Sequence, residues 1–192
     1  MKGRTVTEKN SVVVMVEIAL AAAVLCVVGP LAIPIGPVPI SLQTMLLFIS
    51  VYILGTRSAL VSCALYLLIG LAGLPVFTNY QGGIAKIAGP TGGYLIGYIP
   101  MVLIGGLFIA LSEKYMRKVV VAVSIQFVGM VIATIVLYAF GTAWFVISTG
   151  TPVGAALGMC VIPFIPGDLI KTVAAIGLGS AVKKLIRKSY FQ

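Results

Sequence analysis

Six apolar segments, at about residues 11–29, 40–55, 57–74, 91–112, 119–140 and 164–186, constrain this chain more than any other feature. Most approach the roughly 20 residues that an α-helix needs to cross a hydrocarbon core about 30 Å thick. A shorter apolar piece at about 152–162 leads into the last of them. Only 9% of the 192 residues are charged and 60% are hydrophobic, so little sequence is left over for a soluble domain. The expectation is one all-α integral membrane domain over residues 1–192, with six transmembrane helices. The first run, Val12 to Val28, follows Lys2, Arg4 and Lys9 in the manner of a signal peptide, but the apolar segments behind it favour a retained first helix.

Because the segments are apolar all round, helical periodicity says little, and the flanking charges carry the orientation. Six spans put both termini on one side. The connections on that side hold Lys2, Arg4, Lys9, Arg57, Lys114, Arg117, Lys118, Lys183, Lys184, Arg187 and Lys188, which leaves only Lys86 and Lys171 of the thirteen basic residues. The positive-inside rule therefore places both termini in the cytoplasm of a cell membrane. The net charge of +9 is accounted for in this way, without nucleic acid. The opposite connections, near 30–39, 75–90 and 141–163, are rich in proline and glycine and carry a single charge, Lys86. Irregular backbone of this kind is tolerated at membrane depth where it is buried in protein or lines a cavity, so these outer loops are expected to cap a ligand pocket.

The run GGIAKIAGPTGGYLIGY, Gly82 to Tyr98, is the most unusual of these loops, with six glycines and one lysine. Glycine lets backbone approach a ligand closely, which makes Gly89, Thr91, Gly92 and Gly93 candidate ligand contacts. Lys86 is either a solvated loop lysine or the partner of an anionic ligand. Asn79, just ahead of the run, and Gln43, just inside the second span, offer amide donors and acceptors; Gln43 fits a helix-interface role equally well. Tyr94, Tyr98 and Trp144 suit an interfacial aromatic belt, with ligand stacking an equal alternative for Tyr98.

Asp168 and Lys171 form the sharpest single signal. Pro166-Gly167 is a plausible helix start, which puts Asp168 in the first turn and Lys171 on the same face three residues later. Ionisable residues inside a span are costly and mark functional sites; the pair also neutralises itself, and the two roles are compatible. Ala19 and Ala23 give the first helix a small-residue face suited to close packing, within the chain or against another membrane subunit.

Several chemistries are excluded. The chain has no histidine and no GxxxxGK[ST] phosphate loop, so a Ser-His triad and a P-loop ATPase are absent. Cys26, Cys63 and Cys160 stand alone in apolar runs, which argues against disulfides and Cys/His metal sites. One acidic residue placed for chemistry does not make a carboxylate pair. Ligand capture or transport, without enzyme activity, metal or cofactor, is what remains.

The segments PVPISLQT (37–44), GLAGLPVFTNYQGGIAKIAGPTGGYLIGY (70–98) and PFIPGDLIKT (163–172) resemble the BioY family, the biotin-specific substrate-binding subunits of energy-coupling factor (ECF) transporters. The resemblance implies a six-helix protein that binds biotin at its outer side, under loops after the first, third and fifth helices. It implies a transmembrane coupling subunit and two ABC ATPases as partners, with Ala19 and Ala23 as the docking face. Biotin's ureido N–H groups would meet Asp168 and its ureido carbonyl Lys171 or Asn79, with Lys86 or glycine-loop N–H groups at the carboxylate; the roles of the two lysines can equally be exchanged, and the sequence leaves open which end of biotin enters first. The alternative is a self-sufficient secondary transporter or channel for a small anionic metabolite.

Overall fold

The computed structural model describes residues 11–34, 37–115 and 117–189, and side chains up to residue 185. Lys2, Arg4 and Lys9 lie outside the described residues, as do the side chains of Arg187 and Lys188.

Helices dominate: α1 (Ser11–Val28), α2 (Gln43–Leu54), α3 (Thr56–Leu71), α4 (Ile84–Ala88), α5 (Gly92–Ser112), α6 (Val119–Thr149), α7 (Val153–Cys160) and α8 (Ile165–Ser189). Four helical stretches among the described residues, Ser11–Val28, Gly92–Tyr115, Val119–Thr149 and Val153–Leu185, are long and apolar enough to cross a membrane. α2 and α3 are shorter, and at 1.5 Å per residue α2 is only about 18 Å long. They are separated at Gly55, whose φ of 79° is open to glycine and costly for other residues.

Two expectations need correction. The connection at 29–41 is not wholly irregular: Ala32–Ile33 (β1) and Ile40–Ser41 (β2) pair antiparallel, Ala32 opposite Ser41 and Ile33 opposite Ile40. The fifth long helix does not end near 140 but runs on to Thr149. Gly141 resembles a loop opener in sequence, yet it sits inside α6 because a Cβ there would strike the ring of Tyr94. The stop comes at Gly150, in the left-handed conformation with φ 70°, whose N–H caps the carbonyl of Val146.

Small residues set the helix spacing. α5 and α6 form the most extensive helix pair, and Gly93, Gly97 and Gly129 lie where a Cβ would meet Trp144, Leu137 or Phe108 across it. Lipid supplies no hydrophobic drive between helices, so close van der Waals fit carries the association. α2 packs on α8 and α1 on α3, around a core that includes Tyr66, Phe48, Phe77, Leu47 and Met101. α1 buries only Ala22 and Leu25, and both Ala19 and Ala23 are exposed.

Candidate functional site

Polar side chains converge at one end of the bundle, where the connections 29–42, 72–91 and 150–164 meet the starts of α2, α5 and α8. A cavity of about 60 Å³ there is walled by Val38, Pro39, Ser41, Gln43 and Thr44 from the first connection and α2. Thr78, Lys86, Thr91, Tyr94 and Tyr98 line it from the second connection, α4 and α5, and Tyr138, Cys160, Phe164, Asp168 and Lys171 from the remaining helices. Pro39, Lys86 and Thr91 also line an outer cleft of about 550 Å³, together with Pro37, Asn79, Gln81 and Gly89. These three shared residues stand between the cavity and the cleft.

Asp168 is the electrostatic centre of the inner wall. Its Oδ1 accepts from Lys171 Nζ at 2.9 Å and its Oδ2 from the hydroxyl of Tyr138 at 2.5 Å, and both charged side chains are only 13% exposed. The helix start supplies part of the stabilisation, since a carboxylate in the first turn of α8 faces the positive end of its dipole. Thr172 is turned back on the Asp168 carbonyl at 2.8 Å. A carboxylate offers about four acceptor directions and an ammonium three donors, so the pair still has capacity for a ligand. Tyr138 has no motif around it. The signal was its hydroxyl, which, deep inside an apolar span, must find a partner.

Gln43 opens α2 and is fully buried, with the chain itself using its amide. Its Oε1 accepts from Tyr98 Oη at 2.7 Å and Ser41 Oγ at 3.0 Å, while its Nε2 donates to the Tyr66 hydroxyl, which in turn donates to the Val76 carbonyl at 3.1 Å. Gln43 thus ties α2, α3, α5 and two connections together beside the cavity. Next to it, Thr44 Oγ1 is buried with no hydrogen-bond partner among the described residues. Tyr94 and Tyr98 are buried in the cavity wall, not spread at a lipid interface, and Tyr94 donates to the Cys160 carbonyl at 2.9 Å.

The glycine run divides. Gly83, with φ 82°, takes a conformation that strains other residues, and Gly89 lines the outer cleft. Gly92 and Gly93 lie behind the cavity lining: a Cβ on Gly92 would meet the Ile87 carbonyl and one on Gly93 would meet Trp144 and the Phe140 carbonyl. Trp144 holds this turn, its indole N–H donating to the Gly89 carbonyl at 3.0 Å. Lys86 rides on α4, half-buried, and burial lowers its ammonium pKa from the usual 10.5. An anionic group beside it would push that pKa back up. Asn79 reaches only the outer cleft and adopts φ 61°, followed by Tyr80 at φ 55°. Two consecutive left-handed non-glycine residues are costly, and the Asn79 N–H bond to the Pro30 carbonyl at 3.1 Å holds the turn.

A larger groove, about 800 Å³, runs outside the cavity between α6, α7 and α8 and shares Tyr138 and Asp168 with it. Apart from Thr134, Thr142 and Thr172 its remaining lining is aliphatic, so the smaller cavity is where selective polar recognition can occur.

The profile of the BioY family matches residues 3–188 of the chain. A biotin transporter BioY of Thermotoga maritima is 34% identical over 172 residues, 89% of this chain and 96% of that protein. The biotin transporter BioY2 of Lactococcus lactis subsp. cremoris is 36% identical over 165 residues, 86% of this chain and 87% of that protein. Among solved structures, the S-component for biotin from an ECF-type ABC transporter superposes with a TM-score of 0.80 at 28% identity, covering 94% of this chain and 95% of that one.

Proposed function

This chain belongs to the BioY family, and from that premise we propose that it captures biotin at the outer face of a membrane, as the S-component of an ECF-type uptake transporter. Biotin presents two ureido N–H donors and a ureido carbonyl at one end, an apolar thiophane ring in the middle and a carboxylate at the other. The observation that carries the reading is the cavity wall in which Tyr138 and Lys171 both bond to Asp168, with Lys86 at the passage to the outer cleft. The ureido ring enters first. Asp168 accepts from a ureido N–H and Lys171 donates to the ureido carbonyl, with buried Thr44 Oγ1 nearby for a further bond. Tyr94 and Tyr98 flank the apolar ring. The inner cavity is too small for the whole vitamin, so the valerate extends into the cleft, where Lys86, Asn79, Gly89 and Thr91 surround the carboxylate. Gly92, Gly93 and Gln43 act by holding the walls in place.

The proposal extends to the whole chain. It is a single membrane domain with six spans, the short α2 and α3 included, both termini in the cytoplasm, and loops that close over the ligand. It performs no catalysis and needs no cofactor; ATP is hydrolysed by two ABC ATPases, coupled through a transmembrane subunit that docks on the exposed Ala19–Ala23 face of α1. Calorimetric titration of the purified protein with biotin and, separately, with other water-soluble vitamins tests the substrate. Heat of binding with biotin alone is expected, and equal binding of another vitamin would overturn the assignment.

A further inference from the structure

Beyond the cavity, toward the opposite end of α6 and α8, the bundle carries a second feature that ligand capture does not use. Between α6 and α8 an apolar groove of about 330 Å³ is lined by Val123, Ser124, Phe127, Val128, Val173 and Ile176. Val128 and Val173 are 51% and 60% exposed, so the groove opens outward from the bundle. Just below it the chain collects its cations. Lys118 stands at the N-cap position of α6 with no capping bond from its side chain, about one and a half turns from Val123, with Arg117 next to it and Lys114 slightly earlier in the α5–α6 connection. On α8, Lys184 falls eleven residues after Val173, about three turns, and so lies on the same face. Lys183 Nζ bonds Glu113 Oε1 at 2.6 Å, which draws the end of α8 to the α5–α6 connection and brings the two groups of cations together. That bond engages the one described carboxylate of the cluster, and Lys114, Arg117, Lys118 and Lys184 remain exposed and unopposed by another acid among the described side chains.

We propose that this groove and its cationic rim form a binding site for one anionic phospholipid: an acyl chain lies along Val123, Val128 and Val173, and the phosphate is held by Lys118, Arg117 and Lys184. The charge complementarity selects the occupant. A zwitterionic lipid would fill the apolar groove but bring a phosphate already balanced by its own cation to four lysines and arginines that have no acid partner among the described side chains, while free phosphate would meet the cations and leave the groove uncovered. The exposed Ser124 lies beside Val123 at the edge of the groove nearest Lys118, and its hydroxyl can donate to a glycerol ester. Long basic side chains lie along apolar surface with their charged heads outward, as this arrangement requires.

The test uses the full chain purified in neutral detergent, with phosphatidylglycerol, phosphatidylcholine and inorganic phosphate as three probes, read by retained lipid in native mass spectrometry and by the thermal midpoint. Phosphatidylglycerol is expected to be retained and to raise the midpoint, with the other two doing neither. In Lys118→Gln/Lys184→Gln its affinity should fall about 25-fold, taking about fivefold for each cation near a membrane surface. Val173→Trp, which fills the groove from an exposed position, should weaken retention while keeping the cations. Biotin titration of both variants serves as the check on folding. Equal retention of phosphatidylcholine, stabilisation by phosphate alone, or wild-type phosphatidylglycerol binding in either variant would overturn the proposal.

Discussion

Tyr138 shows what a single residue contributes to the inner wall. Its hydroxyl donates to Asp168 Oδ2 at 2.5 Å while Lys171 occupies Oδ1, so the carboxylate is fixed between two donors and aimed at the cavity. A hydrogen bond to a charged group contributes about 1.5–3 kcal/mol. Tyr138→Phe is therefore expected to weaken biotin binding about tenfold or more in a calorimetric titration, with the fold intact by circular dichroism. Unchanged affinity would remove Tyr138 from the site. Asp168 and Lys171 were legible in sequence because a charge inside an apolar span needs a reason. Tyr138 was not, because tyrosine is common at membrane interfaces and its partner lies thirty residues away on another helix. Gln43 was legible as a buried amide, but its partners Ser41, Tyr66 and Tyr98 come from three other segments and only the fold brings them together.

Among the elements, glycines divide by what a Cβ would meet. Gly93, at the start of α5, lies against Trp144 and the Phe140 carbonyl, whereas Gly154 on α7 has open space around it. Gly93→Val should lower stability by about 1–3 kcal/mol, the scale of forced overpacking, and Gly154→Ala should change it by less than about 0.5 kcal/mol. Thermal unfolding in detergent, followed by the fluorescence of Trp144, compares the two directly. The same contrast explains what the sequence could reveal. Long helices were readable from apolar length. The end of α6 was misplaced because Gly141-Thr142-Ala143 has the composition of a loop, and only the packing of Gly141 on the Tyr94 ring shows why helix continues. The glycine run was readable as a turn beside the site, but the role of Gly93 depends on Trp144, far along the chain on α6. The β1–β2 pair carries too short a pattern, two residues a side, to be seen in advance.

At the scale of the molecule, and among the described residues, the polar groups of the cavity gather at one end and Lys114, Arg117, Lys118, Lys183 and Lys184 at the other, and the exposed alanines lie along α1 between them. That separation should let ligand capture and the proposed partner docking be disturbed independently. Ala19→Leu/Ala23→Leu adds bulk to an exposed helix face, so biotin titration of the isolated chain should match wild type while ATP-driven uptake in cells with the full transporter should fall at least tenfold. Loss of both properties would place these residues in the fold, and loss of neither would place the docking face elsewhere.

The central claim is that biotin enters ureido end first, with Asp168 at the inner wall and Lys86 at the carboxylate. A calorimetric comparison of biotin with its uncharged primary amide, on wild type, Asp168→Asn and Lys86→Ala at neutral pH, tests it most directly. The account predicts that Asp168→Asn weakens both ligands equally, by about 2 kcal/mol, as when a buried charged partner is removed. It predicts that Lys86→Ala weakens biotin and leaves the amide nearly unchanged. Equal weakening of both ligands by Lys86→Ala, or wild-type binding of biotin by Asp168→Asn, would contradict it.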